Sequence, residues 1–272
     1  MNQPALFAPA GQDDWMLERD SGALFVSNHS GGKDSQAMLI HLLEHIPPAQ
    51  LLVIHASLGE VEWPGALEHA QRQAEEAGLP FLVAQANRTF LEMVEQRFDA
   101  RPTVVSFPDA RNRTCTSSLK RDPLAREIRR YAKAHGYARV VNCMGMRASE
   151  SSKRAGATPW KHNEAQSARQ RIWHDWLPIH SWSKRDVLER IRAAGQQLHP
   201  AYALGNDRLS CVFCIMSSKN DLQNGAQHNP LLLERLIKLE EKTGYTLHMS
   251  RTPLRELTQH APCHSTRTSR PH

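Results

Sequence analysis

The sequence contains no apolar run near the ~18–20 residues that a membrane-spanning helix needs, which excludes such a helix as its organising element. Residues 1–20 show no basic segment leading into an apolar one. No secretory leader is read there, and the expected location is the cytoplasm. Cysteine is scarce, at five among 272 residues. Disulfides are uncommon in a reducing compartment, so these thiols read as core residues, metal ligands or reactive groups. There is no internal repeat and no low-complexity block. Gly-x-Gly-x-x-Gly and a Walker A loop are missing too, which removes the two commonest glycine-rich nucleotide signatures. A composition of 40% apolar and 23% charged residues is ordinary for a globular chain and decides little more.

The charge is uneven. The formal net charge is +6, but residues 111–130 hold seven Lys/Arg against two acids, 145–171 six against two, and 251–272 four against one. Such concentration suits a polyanionic ligand, and the first two stretches are expected to serve a phosphate pocket. Solvated basic faces are the plain alternative.

Near-continuous apolar runs at 23–28, 51–56, 81–84, 138–144 and 176–179 read as strands buried on both faces. Helical patterns lie between them at 35–45, 64–77, 90–98 and 119–135, and Ser183 caps another over 183–194 that Gly195 stops. This alternation predicts an α/β fold, a parallel sheet with helices on both faces, whose ligand edge is the carboxyl end of the strands. From Gln196 the pattern is irregular until one more helix over 229–243. The expected division is a lead-in at 1–22, a domain at 23–224, a helical extension at 225–250 and a mobile basic tail at 251–272.

The strongest chemical signal is at the first strand. Leu24-Phe25-Val26-Ser27-Asn28 runs into His29-Ser30-Gly31-Gly32-Lys33-Asp34-Ser35, and a helix opens at once. Strand, glycine turn and helix N-terminus make an anion site, because backbone N–H groups and the helix dipole both favour negative charge. Ser30 and Ser35 add hydroxyl donors and Lys33 a cation, while Asp34 is placed to help hold Mg²⁺ beside substrate phosphates. A tight turn with no ligand is the structural alternative. Gly145 and Arg147 follow the 138–144 strand at the ligand edge. Arg147 is suited to fork onto a phosphate, with Glu150 orienting it or holding a metal; a simple Arg147–Glu150 ion pair is the plainer reading. Lys120 and Arg154 are candidates for further phosphate charge.

The Ser30–Ser35 hexapeptide resembles the signature of the PP-loop ATP pyrophosphatase superfamily. Further blocks narrow the likeness: His55-Ala56-Ser57-Leu58-Gly59-Glu60, Glu62-Trp63-Pro64, Arg113-Thr114-Cys115-Thr116 and Gly145-Met146-Arg147-Ala148-Ser149-Glu150-Ser151. Pro178-Ile179-His180-Ser181-Trp182-Ser183, His199-Pro200-Ala201-Tyr202, Gly205, Arg208 and Cys211-x-x-Cys214 complete the series. Together they resemble the phosphoadenosine-phosphosulfate (PAPS) reductase-like family over about residues 23–224. That resemblance implies an adenine nucleotide alpha hydrolase-like fold, with ATP and Mg²⁺ bound and His55 beside the nucleotide. It also implies cleavage of ATP between its α and β phosphates, with adenylylation of an acceptor, in sulfur metabolism or sulfur transfer, including transfer to nucleic acid or from a sulfur-donor protein.

The resemblance also bears on the cysteines. In the family's iron–sulfur branch, adjacent cysteines and a later Cys-x-x-Cys supply four thiolates. Here Cys115 matches the first of the pair, Thr116 stands at the second, and Cys211 and Cys214 match the last two. An iron–sulfur cluster on three protein thiolates, a zinc site using a nearby His, and no metal all remain open. Cys143 reads as core, and Cys263 reaches the others only if the tail folds back. The family's reductases carry a C-terminal Glu-Cys-Gly-Leu/Ile-His segment that residues 1–272 lack, and their phosphate loop tends to be altered. Both departures favour ATP activation. A thioredoxin-dependent sulfonucleotide reductase and a nucleotide-gated nucleic-acid-binding module without turnover are the alternatives.

Overall fold

The computed structural model describes residues 14–259. Helix α1 (Asp14–Asp20) precedes strand β1 (Leu24–Asn28), and the glycine turn then opens helix α2 (Lys33–His45). Next come β2 (Leu51–Ser57), α3 (Ala66–Glu76), β3 (Phe81–Gln85) and α4 (Phe90–Ala100). Thr89 starts α4 with a capping box: its hydroxyl accepts from the Glu92 amide, and the Glu92 carboxylate accepts from the Thr89 amide. A single turn, α5 (Thr114–Thr116), passes through a π-helical stretch (Ser117–Arg121) into α6 (Asp122–Ala134). The chain continues through β4 (Arg139–Met144), the short α7 (Ser152–Ala155), β5 (Trp160–His162) and β6 (Ile172–Trp176). Then follow α8 (Lys184–Ala193), α9 (Lys219–His228), α10 (Pro230–Thr243) and α11 (Leu254–Thr258).

The six strands form one sheet in the order β3-β2-β1-β4-β6-β5, parallel throughout except for the edge pair β5–β6. Alternate residues of the central strands serve opposite cores. Leu24, Val26, Leu52, Ile54 and Val140 pack under α6 through Ala125, Ile128 and Ala132. Phe25, Val53, Val141 and Cys143 face α2 and α8 through Met38, Leu42, Val187 and Ile191. The predicted α/β class, with helices on both faces of a mainly parallel sheet, is the fold observed. The chain leaves β1 towards β2 and β3, then returns to place β4 and β6 on the other side. The carboxyl ends of β1 and β4 therefore mark the switch point where such sheets hold ligands.

Three details differ from the sequence reading. The last parallel strand is Ile172–Trp176, and Leu177 and Ile179 follow it as buried turn residues. The apolar run beginning at Trp176 had the composition of a strand, but Pro178 interrupts it and gives no ladder N–H. The segment after Gln196 contains α9, and it joins a third core in which Val212, Phe213, Leu222, Leu236, Leu239 and Leu254 pack with Phe90, Met93 and Phe107. Residues 251–259, assigned to a mobile tail, carry α11: Leu254 is fully buried and its amide donates to Glu240 at 2.8 Å. The rest of that tail, Cys263 included, lies outside the described residues.

Candidate functional site

The turn between β1 and α2 is set by close approaches. Gly31 has φ +75°, and a Cβ there would meet the Ala66 carbonyl at 2.6 Å, so only glycine fits. Gly145 lies against the first turn of α2: its Cβ would come within 3.0 Å of the Asp34 carbonyl. The loop is braced from within. The Gly31 amide donates to His29 Nδ1 at 3.1 Å, the Ser30 amide to Ser35 Oγ at 3.2 Å, and Ser35 Oγ to the Gly32 carbonyl at 2.8 Å. With Nδ1 accepting, the proton of His29 sits on Nε2, which donates to Gln73 Oε1 at 2.7 Å. Burial, with His55 and His69 nearby, lowers the pKa of His29 to about 3 despite that hydrogen bond, so the ring is neutral under the loop.

A cavity of about 170 Å³ opens at the switch point. It is lined by Ser30, Gly32, Lys33, Asp34 and Ser35 from the loop, by Gly145, Glu150 and Arg154 from the segment after β4, and by Tyr202 and Arg208. Its size is below the ~300–1,000 Å³ of whole small-molecule pockets. Lys33 is buried. Its ammonium lies 5.2 Å from the centre of the Tyr202 ring, 3.4 Å from Asp34 Oδ2 and 3.3 Å from the Asp207 carbonyl. The Lys33 amide donates to the Tyr202 hydroxyl at 3.0 Å. Burial, with Asp34 alongside, pushes the Tyr202 phenol up to about 12 against that hydrogen bond, so the hydroxyl stays protonated.

The candidate residues after β4 divide into two ion pairs. Arg147 is buried; its Nε donates to Asp34 Oδ1 at 2.6 Å and its Nη1 to Ser149 Oγ at 2.7 Å. Glu150 accepts from the Arg147 amide at 2.9 Å and pairs through its side chain with Arg154. Arg147 thus grips the loop aspartate, and the arginine that reaches the cavity with Glu150 is Arg154. The carboxylates facing the cavity are Asp34 and Glu150, the donor type Mg²⁺ takes together with substrate phosphates.

Two expected nucleotide residues lie elsewhere. His55 is fully buried behind the loop, with Nδ1 donating to the His29 carbonyl at 2.8 Å and Nε2 3.2 Å from Glu62. Lys120, in the π-helical stretch, joins the cysteines. Burial alone would lower its pKa, but Cys211, Glu62, Cys214 and Cys115 around it raise it. Asn28, Met146, Tyr202, Arg208 and Leu209 line the cavity without having been named as nucleotide residues from the sequence. Asn28 could have been found, as the last residue of the strand that feeds the loop.

Cys115, Cys211 and Cys214 pack against the same core. Burial and Cys214 raise the Cys115 thiol, and burial pushes Cys211 up to about 12, with Cys214, Cys115 and Glu62 adding to it and Lys120 opposing. Among the described residues, the one trio of metal-ligand side chains with all ligand atoms within 4.8 Å of one another is His41, Glu44 and His45 at the far end of α2. At least one pair of the three cysteine sulfurs lies farther apart than that. Cys143 is fully buried on β4, in a different core, and burial pushes its thiol well up.

No curated protein matches the chain. Among solved structures, PAPS reductase from Candida auris in its phosphate complex is similar at a TM-score of 0.43 and 14% identity, over 69% of this chain and 80% of that one. FMN adenylyltransferase from Candida glabrata, in complex with FMN and an ATP analogue, gives 0.47 and 11% over 74% of this chain; this chain spans 59% of that protein. The U34-tRNA thiolase NcsA from Methanococcus maripaludis, with its [4Fe-4S] cluster, gives 0.41 and 16% over 88% of this chain and 73% of that one. No helix among the described residues is long and apolar enough to cross a membrane. The phosphoadenosine phosphosulfate reductase domain matches residues 24–217, more than half of the sequence, and the chain belongs to that family.

Proposed function

We propose that the chain binds Mg-ATP with its phosphates on the 30–35 loop and cleaves it between the α and β phosphates. The observation that carries this reading is the cavity at the switch point, where a helix N-terminus, Lys33, Arg154 and Arg208 converge with two carboxylates. An acceptor oxygen attacks the α phosphorus, the bond to the bridging α–β oxygen breaks, and pyrophosphate leaves with that oxygen. The protein has little covalent work to do; its task is alignment and neutralisation of developing charge. Lys33, Arg154 and Arg208 are assigned to the phosphates. Arg147 is a positioning residue that holds Asp34, and Asp34 and Glu150 are the carboxylates for Mg²⁺.

The cysteine trio fits an iron–sulfur cluster better than a single zinc ion. Tetrahedral zinc with Zn–S of ~2.3 Å draws its sulfurs to about 3.8 Å apart, whereas cluster thiolates sit on different irons. Cys115, Cys211 and Cys214 would hold the cluster, with Lys120 offsetting thiolate charge. When bound, such a cluster would supply iron able to take up a sulfur species, which fits sulfur transfer to the activated acceptor.

The decisive experiment incubates the protein with ATP labelled at the α and γ positions. AMP or an adenylylated acceptor, with pyrophosphate, is expected; ADP with phosphate overturns the reading. Assay of PAPS and adenylyl-sulfate with thioredoxin tests the family's reductase chemistry, and sulfite release there would replace ATP activation as the function.

A further inference from the structure

The basic stretches of the sequence do not all serve the nucleotide cavity. Of residues 111–130, none lines it, and of 145–171 the cation that does is Arg154. Instead, parts of both stretches meet on the outer side of α6. A cavity of about 720 Å³ is lined there by Arg126, Arg129, Arg130, Lys133, Arg169 and Arg171. A second, of about 630 Å³, shares Arg126 and Arg129 and adds Arg88. A third, of about 280 Å³, shares Ala86, Asn87 and Arg88 with the second and reaches Ser57 at the end of β2. Shared walls make these one continuous track. It runs from the ligand edge of the sheet, along α6, to Tyr137 and Ala138 before β4.

Charge in the track is left over. Residues 126, 129, 130 and 133 recur at helical spacing and share one face. Glu127 pairs with Arg126 and Arg130. Among the described residues, Arg88, Arg129, Lys133, Arg169 and Arg171 have no carboxylate within ion-pair distance. Arg129 donates to Gln166 Oε1 at 2.6 Å, and Arg171 donates to the Gln166 carbonyl at 2.8 Å, so neutral acceptors hold two guanidiniums in place beside each other. Burial lowers the pKa of Arg171, and the nearby Arg129 lowers it further.

We propose that this track binds the phosphodiester backbone of a nucleic acid strand. A row of seven cations, five of them without a carboxylate partner among the described residues, suits a polymer of phosphates, and arginine outnumbers lysine six to one among them, as phosphate recognition favours. The 13 residues of α6 span about 20 Å, the rise of about six nucleotides in one strand. The concave shape fits a strand, whereas a bilayer surface is flat. No residue of the track lines the nucleotide cavity, so binding here does not depend on the ATP reading.

The test is fluorescence anisotropy without ATP, using labelled 20-nucleotide single-stranded DNA, its duplex and the matching RNA. Poly-glutamate and phosphatidylserine vesicles are run alongside. Expected is salt-dependent binding of at least one nucleic acid that weakens at least about tenfold in Lys133→Glu/Arg169→Glu, with a shallower salt slope. Both residues are exposed, and unfolding curves confirm that the variant folds. The milder Arg129→Gln/Arg171→Gln is expected to weaken binding in the same direction. Lys238→Glu on α10 changes net charge away from the track and is expected to bind as the wild type. No nucleic-acid binding, equal loss in Lys238→Glu, binding unchanged in the track variants, or equal or tighter binding of poly-glutamate or vesicles would overturn the proposal.

Discussion

The nucleotide cavity and the α6 track both gather cations, and they treat them in opposite ways. At the cavity, Arg147 and Lys33 are buried and committed to Asp34, and Arg154 is committed to Glu150. Removing charge from water is expensive unless a partner is fixed in place, so these groups have one geometry and suit one small ligand. Along α6, Arg129 and Arg171 rest on neutral acceptors, and Lys133 and Arg169 stand in solvent. Their charge remains available to counterions and to any polyanion that displaces them. The same residue types therefore mark a candidate site in one place and a proposed docking surface in the other, with a carboxylate beside Lys33, Arg147 and Arg154 and, among the described residues, none beside Arg129, Lys133, Arg169 and Arg171.

The sharpest way to break this contrast is at Asp34. Asp34→Ala leaves the Arg147 guanidinium buried without its carboxylate, and a stability loss of about 3 kcal/mol is expected in urea unfolding. Asp34→Ala/Arg147→Met should recover part of that loss; no recovery would mean the pair does not stabilise the loop. Next in size, Lys33→Ala should slow AMP release at least about 10²-fold, by analogy with other preorganised charge contacts, while leaving nucleic-acid binding unchanged. Wild-type turnover in that variant would remove the loop from the ATP site.

The pH dependence separates the regions further. His29 has a folded pKa of about 3 against an ordinary 6.5. Below pH 6.5 the unfolded chain takes up a proton that folded His29 refuses, so its contribution to stability is full above 6.5 and falls as pH drops towards 3. The slope is about 1.4 kcal/mol per pH unit for this one group; burial also lowers His41 and His69 to about 4, so it is read as the difference in urea midpoints between wild type and His29→Gln from pH 6.5 to 4. A flat profile would show that the ring is not held neutral. The smallest expected effect on ATP cleavage is from the track: Lys133→Glu/Arg169→Glu should leave AMP release within about twofold, since neither residue lines the cavity and solvent-exposed charges are screened by salt. For the thiols, Cys211→Ser should lose iron and acid-labile sulfide after anaerobic purification. A wild type without metal would discard the cluster.

Much of the architecture was legible because it rests on local pattern. The apolar runs of β1, β2 and β4, the cap at Ser183 and the strand–glycine–helix sequence at 30–35 each announce an element within a dozen residues. Their order implied a parallel sheet. β5 escaped notice: its three residues carry partly exposed side chains at a sheet edge, where no apolar run is needed. Trp176 was read as a strand beginning, though it is a strand end. The end of β6 pairs with both β4 and β5, a neighbourhood that composition does not encode.

By itself the sequence determined the sheet and the position of the strand–glycine–helix loop, because those depend on periodicity and on glycines at adjacent positions, and its motif blocks carried the resemblance to the family. Tertiary structure decided where each charge goes. It turned Arg147 onto Asp34, 113 residues away in sequence, buried His55 behind the loop, and moved Lys120 to the cysteines. It also brought Arg129 beside Arg171 across the fold. An ion pair or a shared cavity depends on distances of a few ångströms between remote segments, and a local pattern of residues carries no record of those distances.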